Sequence, residues 1–245
     1  MSEKNSDKRL VWDLPLRLFH WLLVLSIAAS WYTAENSEEF LELGSMFYSY
    51  TEIHFWLGYW TLGLILFRLV WGFVGPRHAR FGNFIVSPSK AIAYLRSFNT
   101  SSYTPAPGHN PLGAWSVVLL LAMVGAQAVT GLFIIDNTEI YPAPFHASVE
   151  AETARSMATF HFTNFDVLLW VIGLHILAVL FYLVFKHQNL IIAMITGRKP
   201  ASMVPPQEAI PNSQLLKAVI VIALVAFAVW LLLQQAPPPP VFEDY

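Results

Sequence analysis

The stretch His161–His175, HFTNFDVLLWVIGLH, decides how this 245-residue chain is read. Its two histidines are fourteen residues apart, close to four helical turns. Both rings therefore lie on nearly one helix face, about 21 Å apart along the axis. The residues between them are almost wholly apolar. An ionisable side chain deep in a membrane span is costly, and it marks a function and a partner. Two such ligands stacked across most of a bilayer predict two metal centres, one near each surface, and electron passage between the two sides.

Composition supports a membrane protein. The chain is 56% hydrophobic and only 12% charged, against about 25% charged in a soluble domain. Five apolar runs, Leu16–Tyr32, His54–Val74, Leu112–Ile135, Phe162–Phe185 and Leu215–Leu233, span or nearly span a hydrocarbon core of about 30 Å. The first follows a polar tail and lacks a small-residue cleavage site, so it reads as a retained span rather than a signal peptide. There is no cysteine, which excludes disulfides, Cys-ligated zinc, iron–sulfur clusters and covalent c-type haem. Any metal must be held by His, Met, carboxylate or carbonyl groups. Trp12, Trp31, Trp56, Trp71 and Trp115 fall near span ends, where amphipathic rings favour the interface.

Charge gives the orientation. Lys4, Lys8, Arg9 and Arg17 precede or open the first span; Arg77, Arg80, Lys90 and Arg96 lie between spans two and three. Lys186, Arg198, Lys199 and Lys217 lie around the connection to the fifth. The positive-inside rule makes these regions cytoplasmic. The opposite loops are acidic, with Glu35, Glu38, Glu39, Glu42 and Glu52 in one and Asp136, Glu139, Glu150 and Glu152 in the other, against Arg155 alone; Glu243 and Asp244 end the chain. Five spans then put the N-terminus inside and the C-terminus outside.

Within the inner connection, Ser87 and Pro88 suit an N-cap and a first helical residue. Ala91, Ile92, Leu95 and Phe98 recur at helical spacing, which predicts a short helix on the inner surface. Asn110 and Pro111 open the third span in the same way. Pro200–Pro211 reads as a polar, proline-rich linker, and the tail APPPPVFEDY as extended polyproline-like chain.

Four of the eight histidines fall at two depths. His54 and His161 open the second and fourth spans on the outer side, and His20 and His175 lie toward the cytoplasm. Each depth thus supplies two imidazoles from different helices, as six-coordinate haem iron requires. His78, His109, His146 and His187 read as solvated or capping residues, His109 being the one placed just before the third span. Arg68, fourteen residues after His54, shares that helix face; it would meet a haem propionate through a bidentate bond or extend to inner headgroups. Asp166 points off the ligand face, as a proton relay or a partnered residue. Gln127 and Thr130 are expected to bond between helices or to line a quinone pocket.

The segments VWDLPLRLFHW, RLVWGFVGPRHARF, GHNPLGAWS and QAVTGLF, followed by the fourteen-spaced histidines, resemble the bacterial di-haem cytochrome b(561) family, which includes the cytochrome b subunits of nickel–iron hydrogenases. The resemblance covers about Val11 to Lys199. It implies an all-α integral membrane four-helix bundle holding two b-type haems, with ligands His20, His54, His161 and His175, and electron exchange with membrane quinone. Arg17, Arg68, Arg155 and His109 are the candidates for contact with these cofactors. The organisation expected is a di-haem transmembrane domain over 1–199, a linker over 200–214, an additional transmembrane helix over 215–234 and an outer tail over 235–245. The fifth span and tail lie beyond what a four-helix core needs, and they are read as docking elements for a partner.

The function expected is a cytochrome of the bacterial inner membrane passing electrons between quinone and a periplasmic c-type cytochrome, hydrogenase or other dehydrogenase. The outer acids would steer a basic partner. A superoxide:quinone oxidoreductase is a second reading, though acidic outer loops repel a small anion. A third is a non-redox, histidine-based metal-ion transporter or sensor, which four ligands spread over two depths serve poorly. Membrane lipid and quinone are expected partners and nucleic acid is not; homo- and hetero-oligomers are both compatible with the sequence.

Overall fold

The structure is a computed structural model, and it describes residues 8–97, 106–134 and 143–237. Five long helices dominate: α1 (Leu14–Glu35), α2 (Tyr50–Val74), α5 (Pro111–Thr130), α6 (Ala151–Phe185) and α8 (Leu215–Leu233). Each is long and apolar enough to cross a membrane. Between them lie the short helices α3 (Phe81–Phe84), α4 (Pro88–Arg96) and α7 (Leu190–Thr196). Four short strands also lie among the described residues: β1 (Lys8–Leu10), β2 (Phe40–Leu43), β3 (Met46–Ser49) and β4 (Arg198–Pro200). The predicted inner-surface helix corresponds to α4; Phe98, Asp136, Glu139 and the tail beyond Pro237 lie outside the described residues.

Helix ends differ from the apolar runs for local reasons. Asp13 caps α1, its Oδ1 accepting the Leu16 N–H at 3.0 Å. This is the ordinary use of an N-cap acid. Ser49 and Glu52 form a reciprocal capping box: Glu52 N–H donates to Ser49 Oγ at 3.1 Å, and the Glu52 carboxylate accepts the Ser49 N–H at 2.9 Å. It sets the start of α2 four residues before His54. The helix α6 begins eleven residues before the expected Phe162, because Ala, Glu, Arg and Met extend it beyond the apolar window. The helix α5 stops at Thr130, and Gly131 follows in a turn that packs against the His161 ring.

The chain divides into two compact units, each taking part of every long helix. The first comprises Met1–Trp21, Phe67–Ala122 and Trp170–Ile222; the second comprises Leu22–Leu66, Met123–Leu169 and Ala223–Tyr245.

In the first unit the expected linker is built structure. β4 pairs antiparallel with β1, Val204 is fully buried, and Ile210 N–H donates to Leu10 O at 2.9 Å. Gly197 closes α7 at φ 78°, and its carbonyl accepts the Val11 and Trp12 N–H groups. A Cβ there would overlap the Trp12 carbonyl, so only glycine serves the position. Lys217 Nζ donates to Val74 O at 3.1 Å, capping the C-terminus of α2.

In the second unit Leu62, Ala128, Leu132 and Phe145 form the core, with Tyr59, Phe133, Leu233 and Ala236 packed against them. Ser26 and Thr61 bond α1 to α2, and Asn164 Nδ2 donates to Gln127 Oε1 at 2.6 Å, bonding α6 to α5. Gln127 thus bonds between helices, one of its two expected roles. The end of α8 belongs to this core. Leu233, at the end of α8, buries apolar surface there that lipid would otherwise cover.

Candidate haem sites

In the second unit His54 and His161 face each other, with ring centroids 6.4 Å apart and planes at 72°. Each imidazole is fixed through Nδ1. His54 Nδ1 lies 2.9 Å from Ser30 O. A carbonyl only accepts, so Nδ1 carries the proton and Nε2 keeps its lone pair. His161 Nδ1 lies 3.2 Å from Thr130 Oγ1, whose own proton goes to Ala126 O at 2.7 Å. The hydroxyl is thereby left to accept, and His161 Nε2 is also free. This is the outer hydrogen bonding that orients a ligating histidine and raises its basicity.

In the first unit His20 and His175 are electrostatic neighbours, and His20 Nδ1 is enclosed without a hydrogen-bond partner. Arg68 is buried to 1% exposure with Nη1 and Nη2 both unpartnered. Its guanidinium lies over the Phe81 ring, 4.6 Å from the centroid. Gly72 makes room for that ring, since a Cβ there would overlap it. Asp13 is the charged neighbour of Arg68, but its Oδ1 is already engaged by Leu16 N–H and by Trp71 Nε1–H at 3.0 Å. Burial pushes the Asp13 carboxyl up, against the pull of those donors and of Arg68.

Two loop histidines are not solvated, which corrects the expectation for them. His78 is 8% exposed and its Nε2 donates to Glu208 O at 2.8 Å. His109 is clamped between Trp12 and Phe84, with centroids 4.6 and 4.4 Å away, and its Nδ1 is enclosed without a partner. The buried Lys199 lies over Trp12, donating to Ala106 O at 3.2 Å and Gly108 O at 3.4 Å. In the sequence Lys199 is one of several basic residues of the inner connection, and nothing local marks it as buried. Arg17 Nη1 donates to Ile195 O at the end of α7. Arg155 and Asp166 are exposed on α6, and among the described residues neither side chain has a hydrogen-bond or ionic partner.

Burial, with Arg68, Lys199 and His78 nearby, pushes His109 down to about 3. The unfolded chain therefore takes up this proton first as pH falls below the ordinary 6.5, and stability drops until the folded ring is protonated near 3. His109→Phe is expected to remove that share of the acid limb, on the order of 1 kcal/mol per pH unit. Melting of wild type and variant from pH 7 to 4 measures it; parallel curves would sink the expectation.

Five long apolar helices, with His54 facing His161 in one unit and His20 a neighbour of His175 in the other, define the class: an all-α integral membrane protein. Among the described residues no three His, Asp or Glu side chains converge on one point. The chain belongs to the prokaryotic cytochrome b561 family, whose model matches residues 11–197. No curated protein sequence and no solved structure matches it. It is thus a multi-pass bacterial membrane protein and a b-type cytochrome, binding haem for electron transfer.

Proposed function

We propose that the chain holds two b-type haems, one ligated by His54 and His161 and the other by His20 and His175. On this reading it carries electrons between quinone and a redox protein outside the bacterial inner membrane. The single observation that carries the reading is the His54–His161 spacing. Two metal–imidazole bonds of about 2 Å, with about 1 Å from each nitrogen to its ring centre, add to about 6 Å. The centroids are 6.4 Å apart, and among the described residues neither Nε2 has a hydrogen-bond partner. The haem supplies reversible one-electron chemistry when bound; the chain supplies the ligands, their tautomers and the buried charge. Arg68, with two unpartnered nitrogens, suits a propionate, and His109 stands in the same unit as a group for contact with quinone.

The positive-inside rule places His20, Arg68 and His109 toward the cytoplasm and the acidic loops outside. The test uses the purified full chain. Its dithionite-reduced spectrum should show b-type bands with about two haems per chain by pyridine haemochrome, and duroquinol should reduce them. A colourless protein would sink the reading, and haem that no quinol reduces would remove the quinone half of it.

A further inference from the structure

We propose that the β2–β3 hairpin is the surface on which a basic soluble redox protein docks to exchange electrons at the His54–His161 site; this rests on the function proposed above. The strands pair Leu41 with Tyr48 and Leu43 with Met46 across a turn at Gly44, φ 67°. One face of the ribbon therefore carries Leu41, Leu43, Met46 and Tyr48, the hydroxyl of Tyr48 donating to Met46 Sδ at 3.2 Å. Leu43 and Met46 are 53% and 55% exposed, and on the other face Phe40 and Phe47 are 56% and 62% exposed. A two-stranded ribbon is at best marginal in water by itself, and apolar surface rimmed by polar groups marks an interaction site.

The rim says which partner fits. Glu35, Glu38, Glu39 and Glu42 are all exposed around the ribbon, and the sequence has no Lys or Arg from residue 18 to residue 67. An apolar centre ringed by acids complements an apolar patch ringed by lysines. It repels an anionic lipid surface, which favours a protein over headgroups as the occupant.

The hairpin is also joined rigidly to the site. Its last residue, Ser49, is locked to the first turn of α2 by the capping box with Glu52, and His54 follows in the next turn. Tyr48 packs on Trp56 at 5.3 Å, extending the patch along α2. A partner seated here stands within two helical turns of an iron ligand. Haem held by His54 and His161 would give up one electron, and the oxidised carrier would take it, with no bond made or broken.

The experiment mixes the full chain, in nanodiscs and freed of dithionite after reduction, with a ferric, lysine-rich soluble c-type cytochrome in stopped flow. The second-order rate should fall steeply with salt. It should drop at least tenfold in Leu43→Ser/Met46→Ser and in Glu42→Lys at low salt, with haem content and reduced spectrum unchanged. Variant rates equal to wild type, or a wild-type rate indifferent to salt, overturn the docking surface and leave the di-haem reading standing. A wild-type chain without b-type bands overturns that reading, and the docking surface with it.

Discussion

Replacing His161 with alanine is expected to leave about one haem per chain instead of about two, and His54→Ala to do the same. The cause is geometric. The two rings face each other at 6.4 Å, each held by a hydrogen bond at Nδ1. On the proposed function, removing either leaves one iron ligand and an open apolar gap where the other ring stood. Combination variants make the pairing decisive, because residues acting as a unit are not additive. His54→Ala/His161→Ala should cost no more haem than either single change, and His20→Ala/His175→Ala should remove only the other haem. A cross-pair such as His54→Ala/His175→Ala should remove both. Pyridine haemochrome counts the haem, and added imidazole should partly restore a single-alanine centre. If the cross-pair kept one haem, the pairing would be wrong.

The long helices were legible because membrane insertion leaves a blunt signal, and the four histidines stood out as candidates against it. Twenty apolar residues have few other uses, and an imidazole among them stands out. What lay hidden was decided by hydrogen bonds between distant segments. Ser49–Glu52 was readable as a capping box, S-x-x-E, and would have started α2 at Tyr50 rather than His54. Asp13, in WDLP, carried the same kind of local signal. Nothing local marks Ser30 O or Thr130 Oγ1 as the partners of His54 and His161, because those contacts join residues 24 and 31 positions apart. The stretch after Lys199 looked like a linker because prolines and polar residues dominate it. It is fixed instead by strand pairing to β1 and by His78 donating to Glu208 O. His109 misled for a related reason: a loop histidine is solvated only when nothing folds over it, and here Trp12 and Phe84 do.

Arg68→Met is expected to lower the midpoint potential of one haem centre by on the order of 60 mV, a factor of ten in a one-electron equilibrium, and to leave the other unchanged. Arg68 is 1% exposed, with both Nη atoms unpartnered. A buried guanidinium without hydrogen bonds costs several kcal/mol, and the Phe81 ring over which it lies recovers only part of that. Asp13 offers charge from close by, and its buried Oδ2 has no hydrogen-bond partner, yet it makes no hydrogen bond to Arg68; its Oδ1 accepts from Leu16 and Trp71. On the proposed function, Arg68 serves an anion the folded chain receives, a haem propionate. A fixed positive charge beside the haem favours the ferrous form, which carries one positive charge fewer, so its removal favours the ferric form and lowers the potential. Arg68→Lys should hold most of the potential while weakening the propionate contact, since an ammonium keeps the charge but not the planar fork. Potentiometric titration followed at the b-type bands resolves both centres. A merely structural arginine gives the opposite pattern: Arg68→Met would raise the melting temperature, as replacing an unpaired buried charge with an apolar side chain does, and neither potential would move.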